Sequence, residues 1–94
     1  GMGVDMHMAS LFPGAPGLAA ALAPDAPFLS VQVPADQPEP RITLSAPALR
    51  DAVALHVVIT GAEKRQAIEK AQGLAAEDAP IAAILDQADV HWAE

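Results

Sequence analysis

Proline divides this chain in two. Of its nine prolines, eight lie at or before Pro47 and only Pro80 lies beyond. Proline fixes φ and supplies no backbone N–H, so neither a long helix nor an unbroken sheet ladder can run through the first half. That half is expected to be loops joined by short elements, with regular structure gathered in the second. Gly14, Pro16 and Gly17 precede an alanine-rich stretch, 18–23, which reads as a short helix stopped by Pro24. Residues 28–33 read as a strand between Pro27 and Pro34, and 34–40, with three prolines, as a stiff polar connector. Residues 41–44 alternate like a second short strand, and Ser45 is placed to cap a helix over 46–52.

The second half is simpler. Residues 54–59 form a continuous, partly β-branched apolar run, the pattern of a parallel strand covered on both faces. Thr60 and Glu63 have capping-box spacing, with the hydroxyl toward the Glu63 amide and the Glu63 side chain reaching back. The helix they open is expected to reach about Gln72 and to stop at Gly73 in a left-handed cap. Asp78 or Ala79 then opens another helix through Ala88, with Ile81, Ile84, Leu85 and Ala88 on one face, before a last short strand at 90–92. No internal repeat is present. Alternating strands and helices define an α/β class: a partial Rossmann-like open parallel sheet with flanking helices. Three or four strands and so few helices do not cover a two-sided sheet. The chain is therefore expected to be one unit, 1–94, of a larger, truncated domain.

Composition narrows the function classes. A chain of 94 residues makes one small domain with a thin stability margin. The absence of cysteine removes disulfides, thiolate metal sites and cysteine nucleophiles together. Twelve Asp/Glu against five Lys/Arg give a net charge of −7, a field that repels nucleic acid and anionic membranes. No apolar run approaches the ~20 residues of a spanning helix, and no basic leader opens the chain. The expectation is a cytoplasmic protein with neither a nucleic-acid nor a membrane partner. With 3% aromatic residues and no tyrosine, it offers no platform for stacking bases or sugars.

Two segments carry residues suited to chemistry. The first is the strand–turn–helix junction at 59–64. A helix start just after a parallel strand presents free amides and a positive dipole end to an anion. Gly61 allows close approach to the backbone, and Lys64 lies in the first turn. Local spacing leaves two readings open, a phosphate ligand or a lysine extended into solvent, and one glycine with one lysine is not a Walker motif. The second segment is 1–14, where Asp5 and His7 lie two apart among glycines. A turn there sets imidazole beside carboxylate, a pairing suited to proton transfer near neutral pH. The competing reading is a disordered terminus with an incidental histidine.

Taken together, the motifs resemble a known family. Gly-Met-Gly-x-Asp-x-His-x-Ala-Ser-Leu-Phe-Pro-Gly at 1–14 is similar to the active-site loop of 6-phosphogluconolactonases. It is followed in order by Pro-Arg-Ile-Thr-Leu at 40–44, Thr-Gly-Ala-Glu-Lys at 60–64 and Val-His-Trp at 90–92. The resemblance spans essentially the whole chain but only the C-terminal part of such an enzyme. It implies hydrolysis of 6-phosphoglucono-1,5-lactone to 6-phosphogluconate, a pentose phosphate pathway step, without metal or cofactor. His7 would be the general base and Asp5 its orienting partner, while Arg41, Gly61 and Lys64 would hold the substrate phosphate. Glucosamine-6-phosphate deaminases share the superfamily, but that branch has a glutamate five residues after the histidine. Here the position is Phe12, which exchanges no proton and favours the lactonase reading.

Two departures stand out. Met6 replaces the glycine usual between Asp and His, and Met8 replaces a threonine or isoleucine. If that glycine serves a positive φ, a methionine strains the turn. With the N-terminal half of the fold absent, the chain alone is expected to show little or no activity. Its exposed sheet edges and faces are expected to drive homo-oligomerisation.

The remaining candidates read as structural. His56, within the apolar run, is expected to be a packed or hydrogen-bonded core histidine, and His91 beside Trp92 to be exposed or packing. Three scattered histidines show no metal-ligand spacing. Met2, Met6 and Met8 read as core filler. Arg65 and Glu69 form an ordinary helix pair, and Ser10 has no basic partner that would make it a nucleophile.

Overall fold

The structure, a computed structural model, describes residues 1–34, 36 and 39–94. Residues 35, 37 and 38 of the expected 34–40 connector lie outside the described residues. The chain runs α1 (Leu18–Leu22), β1 (Leu29–Gln32), β2 (Arg41–Leu44), α2 (Ala46–Arg50), β3 (Leu55–Thr60), α3 (Ala62–Ala71), a 3-10 turn (Pro80–Ala83) and β4 (Ala88–Ala93).

The β-branched run becomes β3, which pairs in parallel with β4 from Leu55↔Ala88 through Thr60↔Ala93, and α3 is the main helix of the crossover between them. Val57 and Ile59 point to one face and are buried with Ile68 and Ala71 of α3. The same cluster takes in Met2, Met8, Leu11, Leu18, Ile81 and Ile84, so the methionines at the start are core filler as expected. The opposite face of β3 is uncovered. His56, Val58 and Thr60 are exposed there, which corrects the expectation of a strand buried on both sides. His56 is consequently no core residue: its Nδ1 lies 3.0 Å from His91 Nε2 on the open face.

β1 and β2 form a separate antiparallel pair, with Val31↔Ile42 and Gln32↔Arg41 in register. Among the described residues there are thus two two-stranded sheets, one parallel and one antiparallel, in place of one open parallel sheet. Side chains in a strand alternate between faces, and here the polar alternates turn inward. Gln32 and Thr43 are buried, while Val31 and Ile42 on the outer face are 62% and 71% exposed.

Several expected caps are absent for local reasons. Thr60 ends β3 and Gly61 takes the N-cap position, so Glu63 falls one residue short of capping-box spacing and no side-chain cap bond forms. Ser45 precedes α2 without a side-chain cap bond. Pro47 removes one of the two amides such a hydroxyl targets, and the Ser45 hydroxyl is buried without a partner among the described residues. α3 closes with the Gly73 N–H donating to the Lys70 carbonyl at 3.1 Å, not with a left-handed glycine. The helix expected through Ala88 is only the 3-10 turn. The Arg50 guanidinium donates to the Ala83 carbonyl at 2.5 Å, taking an acceptor that a continuing helix would need. The buried positions Ile81 and Ile84 were nonetheless legible as apolar.

Candidate active site

The first eight residues fold as a tight hairpin. Met2 bridges Met8 in antiparallel fashion, the Gly3 N–H donates to the His7 carbonyl at 3.0 Å, and the Met6 N–H donates to the Gly3 carbonyl at 2.9 Å. That pattern is a three-residue loop over Val4, Asp5 and Met6, whose last position takes a left-handed conformation that favours glycine. Met6 occupies it with φ 71°. The departure noted in the sequence therefore falls on the one residue of the loop whose geometry wants glycine. Ala9, with φ 49°, is a second strained position just beyond.

The hairpin joins the two groups that proton transfer needs. Asp5 Oδ1 accepts the His7 backbone N–H at 3.1 Å and lies 2.5 Å from His7 Nδ1. Partial burial raises the Asp5 carboxyl pKa, but the hydrogen bonds from the His7 ring and backbone outweigh it and leave it below the usual aspartate value. An ionised carboxylate only accepts, so Nδ1 is the donor in this contact. Gly3 makes the approach possible: a Cβ there would collide with the His7 ring and stand 2.7 Å from Asp5 Oδ1. Gly3 was not singled out in the sequence; its place four residues before the histidine, across the hairpin, was the available signal.

Arg41 is drawn to the same loop. Thr43, on the same face of β2 as Arg41, accepts the Ser10 N–H at 3.1 Å. Phe12, almost fully buried, stacks on the His7 ring with centroids 4.6 Å apart, and Arg41 Cζ stands 6.0 Å from the Phe12 centroid. Gly61 and Lys64 sit elsewhere, at the head of α3. Gly61 has φ 88° and ψ 155°, a region open essentially to glycine, with open space where a Cβ would project. Its carbonyl accepts from Trp92 Nε1 at 2.8 Å and from the Arg65 N–H, the first bond of the helix, so the amides of Ala62, Glu63 and Lys64 have no partner within the helix. Lys64 is half-buried and, among the described residues, makes no ion pair. Arg65 lies 4.5 Å from the Trp92 ring centroid and pairs with Glu69 at 3.3 Å. Gly61, Arg65, Glu69 and Trp92 line an open groove of about 590 Å³ whose lining includes neither Lys64 nor His7 nor Asp5. Asp5, His7 and Arg41 are thus linked through Phe12, while Gly61 and Lys64 share no bond with His7 or Asp5. Among the described residues no group of three or more His, Asp or Glu side chains is placed to hold a metal.

A helix-flanked parallel strand pair, with an Asp–His hairpin at one place and a glycine junction at another, makes this an α/β protein. The chain belongs to the glucosamine-6-phosphate isomerases/6-phosphogluconolactonase family, whose model matches residues 1–92. It is 36% identical over 99 aligned positions to the 6-phosphogluconolactonase of Rhizobium meliloti (strain 1021), covering 99% of this chain and 43% of that protein. It is 41% identical over 100 positions to the 6-phosphogluconolactonase of Mesorhizobium japonicum, covering 99% and 41%. Among solved structures, a 6-phosphogluconolactonase from Shewanella baltica OS155 superposes with a TM-score of 0.88 at 31% identity, over 97% of this chain and 41% of that one. A putative 6-phosphogluconolactonase from Neisseria gonorrhoeae FA 1090 gives 0.90 at 30%, over 99% and 42%. The chain spans less than half the length of each of these relatives.

Proposed function

We propose that these residues form the C-terminal part of a domain that hydrolyses 6-phosphoglucono-1,5-lactone to 6-phosphogluconate in the cytoplasm. The observation that carries this reading is the 2.5 Å contact between Asp5 and His7, which commits Nδ1 to the carboxylate and leaves Nε2 as a base. In the proposed reaction Nε2 takes a proton from water as its oxygen bonds to the lactone carbonyl carbon. The tetrahedral intermediate collapses by breaking the bond to the ring oxygen, which receives that proton. Arg41 holds the phosphate, with Lys64 and the free amides of α3 as further anion donors; the Gly61 N–H donates to the Ala93 carbonyl at 2.9 Å, so Gly61 allows close approach to the backbone but gives no bond of its own. Family membership alone admits deaminase chemistry as well. The buried phenyl of Phe12 beside His7, together with relatives named as lactonases, supports hydrolysis instead.

The test is a chimera in which this chain replaces the part of the Rhizobium meliloti lactonase that it matches. Catalysed hydrolysis above the spontaneous rate is expected, with His7→Ala lowering it by about 10²-fold or more. A folded chimera no more active than its His7→Ala version overturns the proposal. The 94 residues alone are expected to show little or no activity. A second reading, a self-associating non-catalytic chain, is favoured by one specific observation, the exposed apolar outer face of β1 and β2. Light scattering of the isolated chain over a concentration series tests it.

A further inference from the structure

Phe12 occupies an unusual place in this site. Leu11, fully buried, pins the loop to the core, and the Leu11 N–H donates to the Met8 carbonyl while the Phe12 carbonyl accepts from Ala15. The backbone on both sides of Phe12 is therefore tied down, and the residue is 9% exposed. One neighbour is the His7 imidazole, stacked at 4.6 Å with 30° between the planes. Another is the Arg41 guanidinium, its Cζ 6.0 Å from the ring centroid, within cation–π range. The two polar groups come from segments more than thirty residues apart, and the phenyl ring is the contact that they share.

From this we infer that Phe12 is a positioning residue that couples His7 to Arg41, setting the base and the anion-holding cation in a fixed relation. The inference rests on the proposed reading of the site and adds a specific part to it. An aromatic ring limits His7 from one side, as Asp5 and the close approach of Gly3 limit it elsewhere, so the imidazole has one orientation instead of several. The same ring gives Arg41 a cation–π contact on the side that faces the histidine loop. An acidic side chain at position 12 would instead pair with Arg41 and compete with an anionic ligand. A leucine would fill the space but supply neither stacking nor cation–π attraction.

Nuclear magnetic resonance on the whole chain tests the coupling without requiring activity. His7 ring protons and the Arg41 side-chain N–H are followed without ligand and during titration with 6-phosphogluconate, in wild type, Phe12→Leu, Phe12→Tyr and Arg41→Ala. Without ligand, the wild-type His7 protons are expected to carry a ring-current shift that Phe12→Leu removes and Phe12→Tyr retains. On titration, His7 and Arg41 signals are expected to move together at one half-saturation concentration. Phe12→Leu is expected to weaken binding by about two- to fivefold and to uncouple the His7 response, and Phe12→Tyr to restore both. Unchanged His7 shifts in a folded Phe12→Leu chain, with or without ligand, overturn the inference. If the wild-type Arg41 signal ignores the ligand while the ring-current difference is present, the reading of Arg41 as a phosphate ligand fails and the stack on His7 stands.

Discussion

Ala9→Gly should stabilise this chain, and the size of the effect follows from backbone geometry alone. Ala9 is exposed and held at φ 49°, where a Cβ meets the following carbonyl. That conformation costs an L-residue roughly 1–2 kcal/mol. Glycine removes the cost but adds unfolded-state entropy worth about 0.4–1 kcal/mol. The net gain is about 0.5–1 kcal/mol, because an exposed methyl contributes little packing. With an m-value near 1 kcal/mol/M for a chain of this size, the urea midpoint should rise by about 0.5–1 M. Melting should rise by roughly 3–6 °C. Met6→Gly is the internal control. Its φ of 71° stores similar strain, but Met6 packs against the core cluster. Losing a half-buried methionine costs about 1–2 kcal/mol, so Met6→Gly should be neutral or mildly destabilising. A midpoint lowered or unchanged by Ala9→Gly would refute the strain argument. Equal stabilisation by both variants would refute the packing assigned to Met6.

Gly3→Ala should push the His7 ring away from Asp5, so that the Asp5 carboxyl titrates closer to the ordinary aspartate range by carbon-detected NMR while the fold is retained. The Asp5 carboxyl lies below its ordinary value of 3.8 when folded, so the stability it contributes is complete above that pH and is lost as pH falls through the lower, folded value. Asp86, lowered by its hydrogen bond from Arg50, acts in the same window; Asp5→Asn and Asp86→Asn should each flatten the acid limb of the urea midpoint plotted against pH. Ile42→Lys, on the outer face of β2, should lower the scattering mass at high concentration without altering the anion response of Arg41.

Much of this arrangement was legible in the residues, where the governing physics is local. The strand at 41–44 has the bounds expected, because alternation and flanking prolines suffice to fix it. The parallel partner of β3 was legible in part: a short strand was expected at 90–92, and β4 runs Ala88–Ala93. Caps failed where one residue of offset decided the outcome, as at Thr60 and Gly61, since spacing alone does not say which residue ends a strand. The helix expected to reach Ala88 failed for a tertiary reason: Arg50 arrives from a segment thirty-three residues away and takes the Ala83 carbonyl. The Asp5–His7 pair was visible because both residues belong to one turn. Phe12 was weighed only for the proton it does not exchange; its contact with Arg41 depends on β2 folding back, which no local pattern encodes.

The inverted polarity of β1 and β2 connects the site to the exposed apolar face. Thr43 must face the hairpin loop to accept the Ser10 N–H, and Arg41, two residues earlier, shares its face. The strand period of two then forces Ile42 outward, and the register partner Val31 with it. A one-residue slip would bury these apolar side chains but would carry Arg41 away from Phe12 and leave the Ser10 amide without its acceptor. The exposed apolar row is therefore the direct consequence of presenting a cation to the histidine loop. A chain that keeps this site must keep that row, and an exposed apolar row of this kind marks a contact surface. Substitutions that make the outer face polar, with the inner face untouched, should separate association from anion binding; loss of both together would show that the two faces are not independent.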